Sequence, residues 1–132
     1  MAKKQWATAT EIGLQSVTDP LAAYRQPPVL PVRNPVAAAR PLDAGITAFK
    51  DGRFRDAVAA LTDATKADAT DAVSWYFLGA AKLALGQVDQ GKDDIRQGAA
   101  REAASNVPTR MINAALSPIQ GPARDAITAA RP

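Results

Sequence analysis

The strongest constraint on the fold is a set of small and apolar residues that recurs after 34 positions. Its members pair Gly45 with Gly79, Gly52 with Gly86, Ala57 with Gly91, Leu61 with Ile95, and Ala64 with Gly98. A fixed period of this length is typical of stacked helical hairpins, in which each repeat buries its apolar face against its neighbours. The chain is therefore predicted to be a helical scaffold that offers a binding surface.

The composition limits the chemistry open to this chain of 132 residues. Histidine and cysteine are both absent, which removes the commonest general base, the commonest neutral metal ligand and any disulfide. The segment 1–42 carries five basic and two acidic side chains, which accounts for the whole net charge of +3. Five dispersed charges are too few to indicate nucleic acid, but they are compatible with an acidic partner surface.

The sequence contains no segment that predicts a membrane span. Its longest apolar stretch runs from Ala72 to Ala81, is interrupted by Ser74, and is too short to cross a bilayer. Thr8, Thr10 and Glu11 stand where a secretory signal needs an apolar run. A cytoplasmic location is therefore expected.

Residues 1–40 are predicted to be an extended, proline-rich, basic arm. The prolines that support this prediction are Pro20, Pro27, Pro28, Pro31 and Pro35. Arg25, Pro28 and Pro31 fit R-x-x-P-x-x-P, the pattern that Src-homology 3 grooves read in a polyproline helix. Alternatively, the arm is a strap along a partner subunit, with Trp6 and Tyr24 as its aromatic anchors.

Residues 41–131 are predicted to form six helices arranged as three antiparallel hairpins, at about 41–67, 71–104 and 106–131. The expected helices are Pro41–Lys50, Arg53–Lys66, Asp71–Leu85, Gln87–Ala103, a fifth from Asn106 to Ser117, and Pro122–Arg131. Asp51-Gly52 and Gly86 supply the helix ends, and no strand is predicted. The fold class is therefore all-α, an antiparallel stack of helix hairpins behind an extended arm.

Trp75, Leu78 and Gly79 spell W-x-x-L-G, the first-helix signature of tetratricopeptide repeats. Residues 38–105 closely resemble two repeats of this family, and residues 106–131 resemble a degenerate third. The resemblance implies an α-solenoid in which the glycines at 45 and 79 stand where the partner helix comes too close for a Cβ. Pro41 takes the tryptophan position of the first repeat, so that helix is expected to start late and pack lightly.

The resemblance also implies a concave groove lined by the first helices of successive hairpins. By register it would hold Leu42, Ile46, Phe49, Lys50, Val73, Tyr76, Ala80 and Leu83, with Val107 and Arg110 extending it. This face is largely apolar, so it should grip an apolar helix or extended segment, with Phe49, Tyr76 and Leu83 as anchors. The alternative is that the same residues are buried beneath the chain's own N-terminal arm.

No catalytic, metal or cofactor site is predicted. The aspartates have structural interpretations, such as Asp68 and Asp71 at a helix start, and the serines have no histidine partner. The favoured function is a non-catalytic adaptor or assembly subunit that binds a protein partner through the apolar groove and the arm. Two alternatives stay open. One is a purely structural accessory subunit anchored by its arm with the groove self-covered, and the other is a fragment of a longer repeat array.

Overall fold

The computed structural model describes residues 31–131. Within this range the chain is all-α, as predicted, and no strand occurs there. Its six helices are α1 (Pro35–Lys50), α2 (Phe54–Ala67), α3 (Ala72–Ala84), α4 (Val88–Ala104), α5 (Thr109–Ala115) and α6 (Pro122–Ala130). The predicted bounds of α2, α3, α4 and α6 agree with these to within one residue at each end. None of the six helices combines the length and apolar character that crossing a membrane requires.

The first helix begins at Pro35, well before the predicted start at Pro41. Asn34 caps it, because its Oδ1 accepts a hydrogen bond from the Ala37 N–H at 3.1 Å. Pro35 takes the first helical position, where a missing N–H leaves no hydrogen bond unmade. Asn-Pro is therefore a helix start rather than part of an extended arm, and Pro41 lies inside the helix. The expectation of a late start for α1 was wrong.

Helices α1 and α2 form one antiparallel hairpin, α3 and α4 form a second, and α2 packs against α3. A Cβ built on Gly45 would lie 2.5 Å from Cγ of Leu61, and one built on Gly79 would lie 2.6 Å from Cγ1 of Ile95. The second pair follows the first by one repeat period, so the same contact recurs in the next hairpin. At these crossings the helices leave no room for a side chain.

The turns inside the two hairpins also match. Gly52 and Gly86 have φ of +78° and +85°, the left-handed conformation that glycine adopts without strain. In each turn the residue after the glycine donates its N–H to a carbonyl five positions back, Arg53 to Ala48 at 2.8 Å and Gln87 to Lys82 at 2.9 Å. The sequence period is therefore reproduced in the backbone of both turns.

The core lies between the two hairpins and extends to α5 and α6. Its fully buried large side chains include Leu61, Phe77 and Ile95, together with Ile112 of α5 and Ile127 of α6. Helix α6 packs against both α3 and α4. The fifth helix is shorter than predicted. It begins at Thr109, because the backbone of Pro108 is extended, and no side chain caps its first turn.

Candidate functional site

A groove with a volume of about 720 Å³ lies between α1, the start of α3, and the segment from the end of α4 to α5. Its apolar lining comes from three helices and comprises Ala38, Leu42, Ala72, Val73 and Ile112. Ala104 and Val107 continue the apolar surface on the far side. The groove is therefore assembled from parts of the sequence that are far apart along the chain.

One edge of the groove is the segment of residues 31–34 that precedes α1. Pro31 and Arg33 line the groove, while the Val32 carbonyl accepts a hydrogen bond from the Ala69 N–H at 2.6 Å. Ala69 lies in the turn that joins α2 to α3. This backbone hydrogen bond ties the segment to that turn and so fixes the edge in place.

Two aspartates at the α2–α3 turn also line the groove, but their carboxylates serve the turn. Asp68 accepts hydrogen bonds from the N–H and the hydroxyl of Thr70 at 3.0 and 2.5 Å. Asp71 caps α3, accepting from the Val73 N–H at 3.1 Å and from the Ser74 hydroxyl at 2.8 Å. The capping role predicted for Asp71 is confirmed, and both carboxylates stabilise the wall of the groove.

Most of the exposed apolar side chains occur in segments that contribute residues to the groove. Residues 31–131 expose five large hydrophobic side chains; one of them, Val107, lines the groove, and three others adjoin lining residues along the chain. These four are Val32, Val36, Val107 and Met111, and we call them the apolar rim. Single exposed apolar residues are ordinary, but a cluster around a concavity is typical of a binding site.

Arg101 is the basic group on the α4 side of the groove. Its Nε is buried and has no hydrogen-bond partner, and its Nη2 lies 3.4 Å from the Gln97 side-chain oxygen, which is a long contact. Buried guanidinium nitrogens usually have an oxygen partner, and in residues 31–131 this Nε and Nη2 of Arg131 lack one. Arg101 therefore brings to the groove a guanidinium whose hydrogen bonds are not all made within the described part of the chain.

Only some of the predicted groove residues lie in this groove. Leu42, Val73 and Val107 do, and Pro31, predicted as part of the arm motif, lines it as well. Ile46, Phe49 and Leu83 are half-buried and pack against the core instead. The Phe49 ring makes edge-to-face contacts with Phe54 and Phe77, each with centroids 5.4 Å apart, so its role is to join α1 to its neighbours. Lys50 and Arg110 are exposed, and Ala80 is buried.

Tyr76 is also not on an open face, because α6 and α4 enclose it completely. A Cβ on Gly98 would lie 2.7 Å from its ring, and its hydroxyl donates to Glu102 Oε1 at 2.6 Å. Burial, followed by this hydrogen bond, raises the pKa of Tyr76 well above its ordinary value. The prediction that Tyr76 would anchor a partner segment is wrong, because its side chain is fully buried, with Gly98 of α4 and Arg131 against the ring.

Arg131 completes a buried polar cluster around Tyr76. Its Nε donates to Glu102 Oε1 at 2.8 Å, its Nη1 donates to Asn113 at 2.5 Å, and its guanidinium lies 5.7 Å from the Tyr76 ring centroid. Glu102 and Arg131 are 9% and 16% exposed, so this ion pair is largely shielded from water. We call these four residues the clasp, because they hold the end of α6 against α3, α4 and α5.

The anchors predicted on the N-terminal segment (Trp6, Tyr24, Arg25 and Pro28) lie outside the described residues. Sequence reasoning missed Arg33, Asp43, Arg101 and Asn106 as groove residues. The register of a regular solenoid gives no reason to include them, because the groove also takes residues from the segment before α1 and from the segment between α4 and α5.

Comparison with protein-family models, with curated proteins and with solved structures found no match for this chain. Within residues 31–131, no three acidic side chains form a group that could hold a metal ion. The groove and its rim are therefore the features from which function is inferred.

Proposed function

We propose that this chain is a non-catalytic binding module, a tetratricopeptide-like stack of helix hairpins that holds an apolar segment of a partner protein in the groove. The recurrence of the helix-crossing contact and of the turn one repeat period later supports the stack. The proline-rich, basic stretch before residue 31 is a second contact with the same partner, as an adaptor or assembly subunit requires.

The observation that carries this proposal is the apolar rim beside an apolar groove. Val36 and Met111 are 86% and 57% exposed, and leaving such side chains in water gains nothing for the fold. Covering a large aliphatic side chain contributes about 1.5–3 kcal/mol. A partner that covers several rim residues therefore gains enough to offset part of the entropy lost on association.

The size of the groove indicates what fits. Its volume of about 720 Å³ falls within the range of roughly 300–1,000 Å³ typical of pockets that bind a compact ligand. A short stretch of peptide with a few apolar side chains suits it better than a broad protein surface. This volume therefore favours a short peptide over a flat subunit interface as the ligand.

The proposal can be tested by selecting binders from a library of random peptides displayed on phage, using the full chain as bait. The selected peptides are then measured by fluorescence anisotropy against Val107→Asp, which places a charge in the groove. Val88→Asp is the matched control, because Val88 is 47% exposed and Val107 is 49% exposed, while Val88 lies outside the groove.

We expect selected peptides to be apolar and to lose affinity for Val107→Asp but not for Val88→Asp, with the melting temperatures of both variants near that of the parent chain. The proposal is refuted if no peptide is enriched, or if the two variants weaken binding equally.

A further inference from the structure

We propose that Arg101 selects the ligand, by pairing with the carboxylate of an aspartate or glutamate within the bound apolar segment. This inference rests on the proposed function, since it names the chemistry of the segment that the groove holds. Arg101 is a specificity residue in this scheme, while the apolar lining supplies affinity.

The first argument compares Arg101 with the other half-buried arginines of residues 31–131. Arg124 donates to the backbone carbonyls of Leu116 and Ile119, and Arg131 donates to Glu102. Arg101 alone among the three has neither a carboxylate nor a backbone carbonyl partner, and its Nε, like Nη2 of Arg131, is buried without an acceptor. A buried hydrogen-bond donor without an acceptor lowers the stability of the fold, and a ligand carboxylate would supply the acceptor.

The second argument is the position of Arg101. It lines the groove together with Ala104 and Val107, which follow it along the chain, and with Leu42 of α1. A peptide that covers these apolar groups passes beside the guanidinium. A residue of the peptide with a short acidic side chain can then reach it without leaving the apolar lining.

The third argument weighs the acidic groups that share the groove. Asp68 and Asp71 already accept two hydrogen bonds each from the turn, and Asp43 is exposed on α1. Water and salt screen a charge at an exposed position much more than one at a half-buried position. Arg33 lines the groove as well, so the lining holds two basic side chains beside Asp43, and Arg101 is the half-buried one of the two.

Arginine is also the residue whose geometry suits this task. Its planar guanidinium presents two parallel N–H groups to one carboxylate, whereas lysine presents a single point charge. The amide of a glutamine or asparagine in the same place offers only one acceptor oxygen. The groove should therefore distinguish an acidic residue from its amide counterpart by about tenfold or more in affinity.

The test uses the peptides selected on the full chain, synthesised with amidated C-termini so that only a side chain can supply a carboxylate. Each is compared with the version in which its acidic residue becomes the corresponding amide. Both are measured against the parent chain, Arg101→Gln, Arg101→Lys and Arg96→Gln. Arg96 is the matched control, because it lies on the same helix, is exposed and already pairs with Asp93.

We expect a fixed acidic position in the selected peptides, a loss of about tenfold when it is amidated, and no such loss with Arg101→Gln as receptor. Arg101→Lys should recover the preference in part, and Arg96→Gln should leave it unchanged. Circular dichroism of each variant verifies that it is folded.

Two results would overturn the inference while leaving the groove function intact. One is a set of good binders without a fixed acid, and the other is an acid whose effect persists in Arg101→Gln. Binding that requires a free C-terminus would also overturn it, in favour of a terminal carboxylate. A failure to enrich any peptide removes the proposed function itself, so the two failures are distinguishable.

Discussion

The close approach of α3 and α4 gives the sharpest prediction, which concerns Gly79→Ala. A Cβ at this position would lie 2.6 Å from the Gly91 carbonyl oxygen and 2.6 Å from Cγ1 of Ile95. Ordinary contacts begin near 3.4 Å, so the two helices must separate by about 0.8 Å. The carbonyl oxygen belongs to the backbone and cannot rotate away as a side chain could.

Two effects of opposite sign determine the result. Alanine in a helix interior is favoured over glycine by about 1 kcal/mol. Overpacking costs about 1–3 kcal/mol, and a gap of about 0.5–1 Å forfeits a further quarter to a half of each dispersion contact across the interface. The steric cost is larger than the gain in helix propensity, so we expect the free energy of unfolding to fall by about 2 kcal/mol. For a domain of this size, that loss corresponds to a decrease of roughly 10 °C in melting temperature.

The measurement is urea unfolding followed by circular dichroism, combined with a double-mutant cycle. Gly91→Ala places a Cβ 2.8 Å from the Gly79 carbonyl oxygen and forces the same separation of the two helices. The double variant should therefore lose less stability than the sum of the two single variants. Gly52 lies in the other hairpin, and a Cβ at this position would meet nothing within 4 Å. The loss of stability in Gly52→Ala should therefore add to that of Gly79→Ala in the double variant. A neutral or stabilising Gly79→Ala would show that the helices do not approach this closely.

Three further predictions concern charged and polar groups. Tyr76→Phe should remove a pH dependence, because the unfolded tyrosine loses its proton from about pH 10 while the folded one, whose pKa is raised, keeps it. The free energy of unfolding of the parent chain should thus fall above about pH 10, and that of the variant should fall less; equal slopes would contradict this. Glu102→Ala leaves Arg131 largely buried without its carboxylate, so the free energy of unfolding measured in urea should fall by about 2–3 kcal/mol. Glu102→Gln should lower it by less. A loss as small as that of an exposed surface ion pair would contradict burial of the clasp. Arg53→Gln should leave the melting temperature unchanged in a thermal scan, because its bridges to Asp51 and Asp56 join side chains that are all more than half exposed.

The helical architecture could be predicted because local signals and the repeat period agree. The glycines at 52 and 86 end their helices in the same conformation, and Asp71 caps α3 as its position indicated. Asn34-Pro35 carries an equally local signal for a helix start. The density of prolines around it favours an extended arm, and that prediction is wrong here because Asn34 caps the helix and Pro35 begins it.

The groove could be predicted only in part, because it depends on tertiary packing. Leu42 and Val73, which the repeat register assigns to one face, both line the groove because they lie on the regular hairpins. The register assigns Tyr76 to an open face, and the short α6, held by Arg131, covers that face instead. Arg101 lines the groove because the segment from the end of α4 to α5 lies next to α1 and the start of α3, which no periodic pattern encodes.

The hydrogen bond from the Ala69 N–H to the Val32 carbonyl makes one amide proton a reporter of the groove edge. Its acceptor lies outside any helix, so the proton is protected from solvent only while residues 31–34 remain docked on the α2–α3 turn. Its exchange rate with deuterated water, relative to that of amides inside α3, therefore measures how often this edge detaches. Local opening can be followed at a single backbone site, in the absence of any ligand.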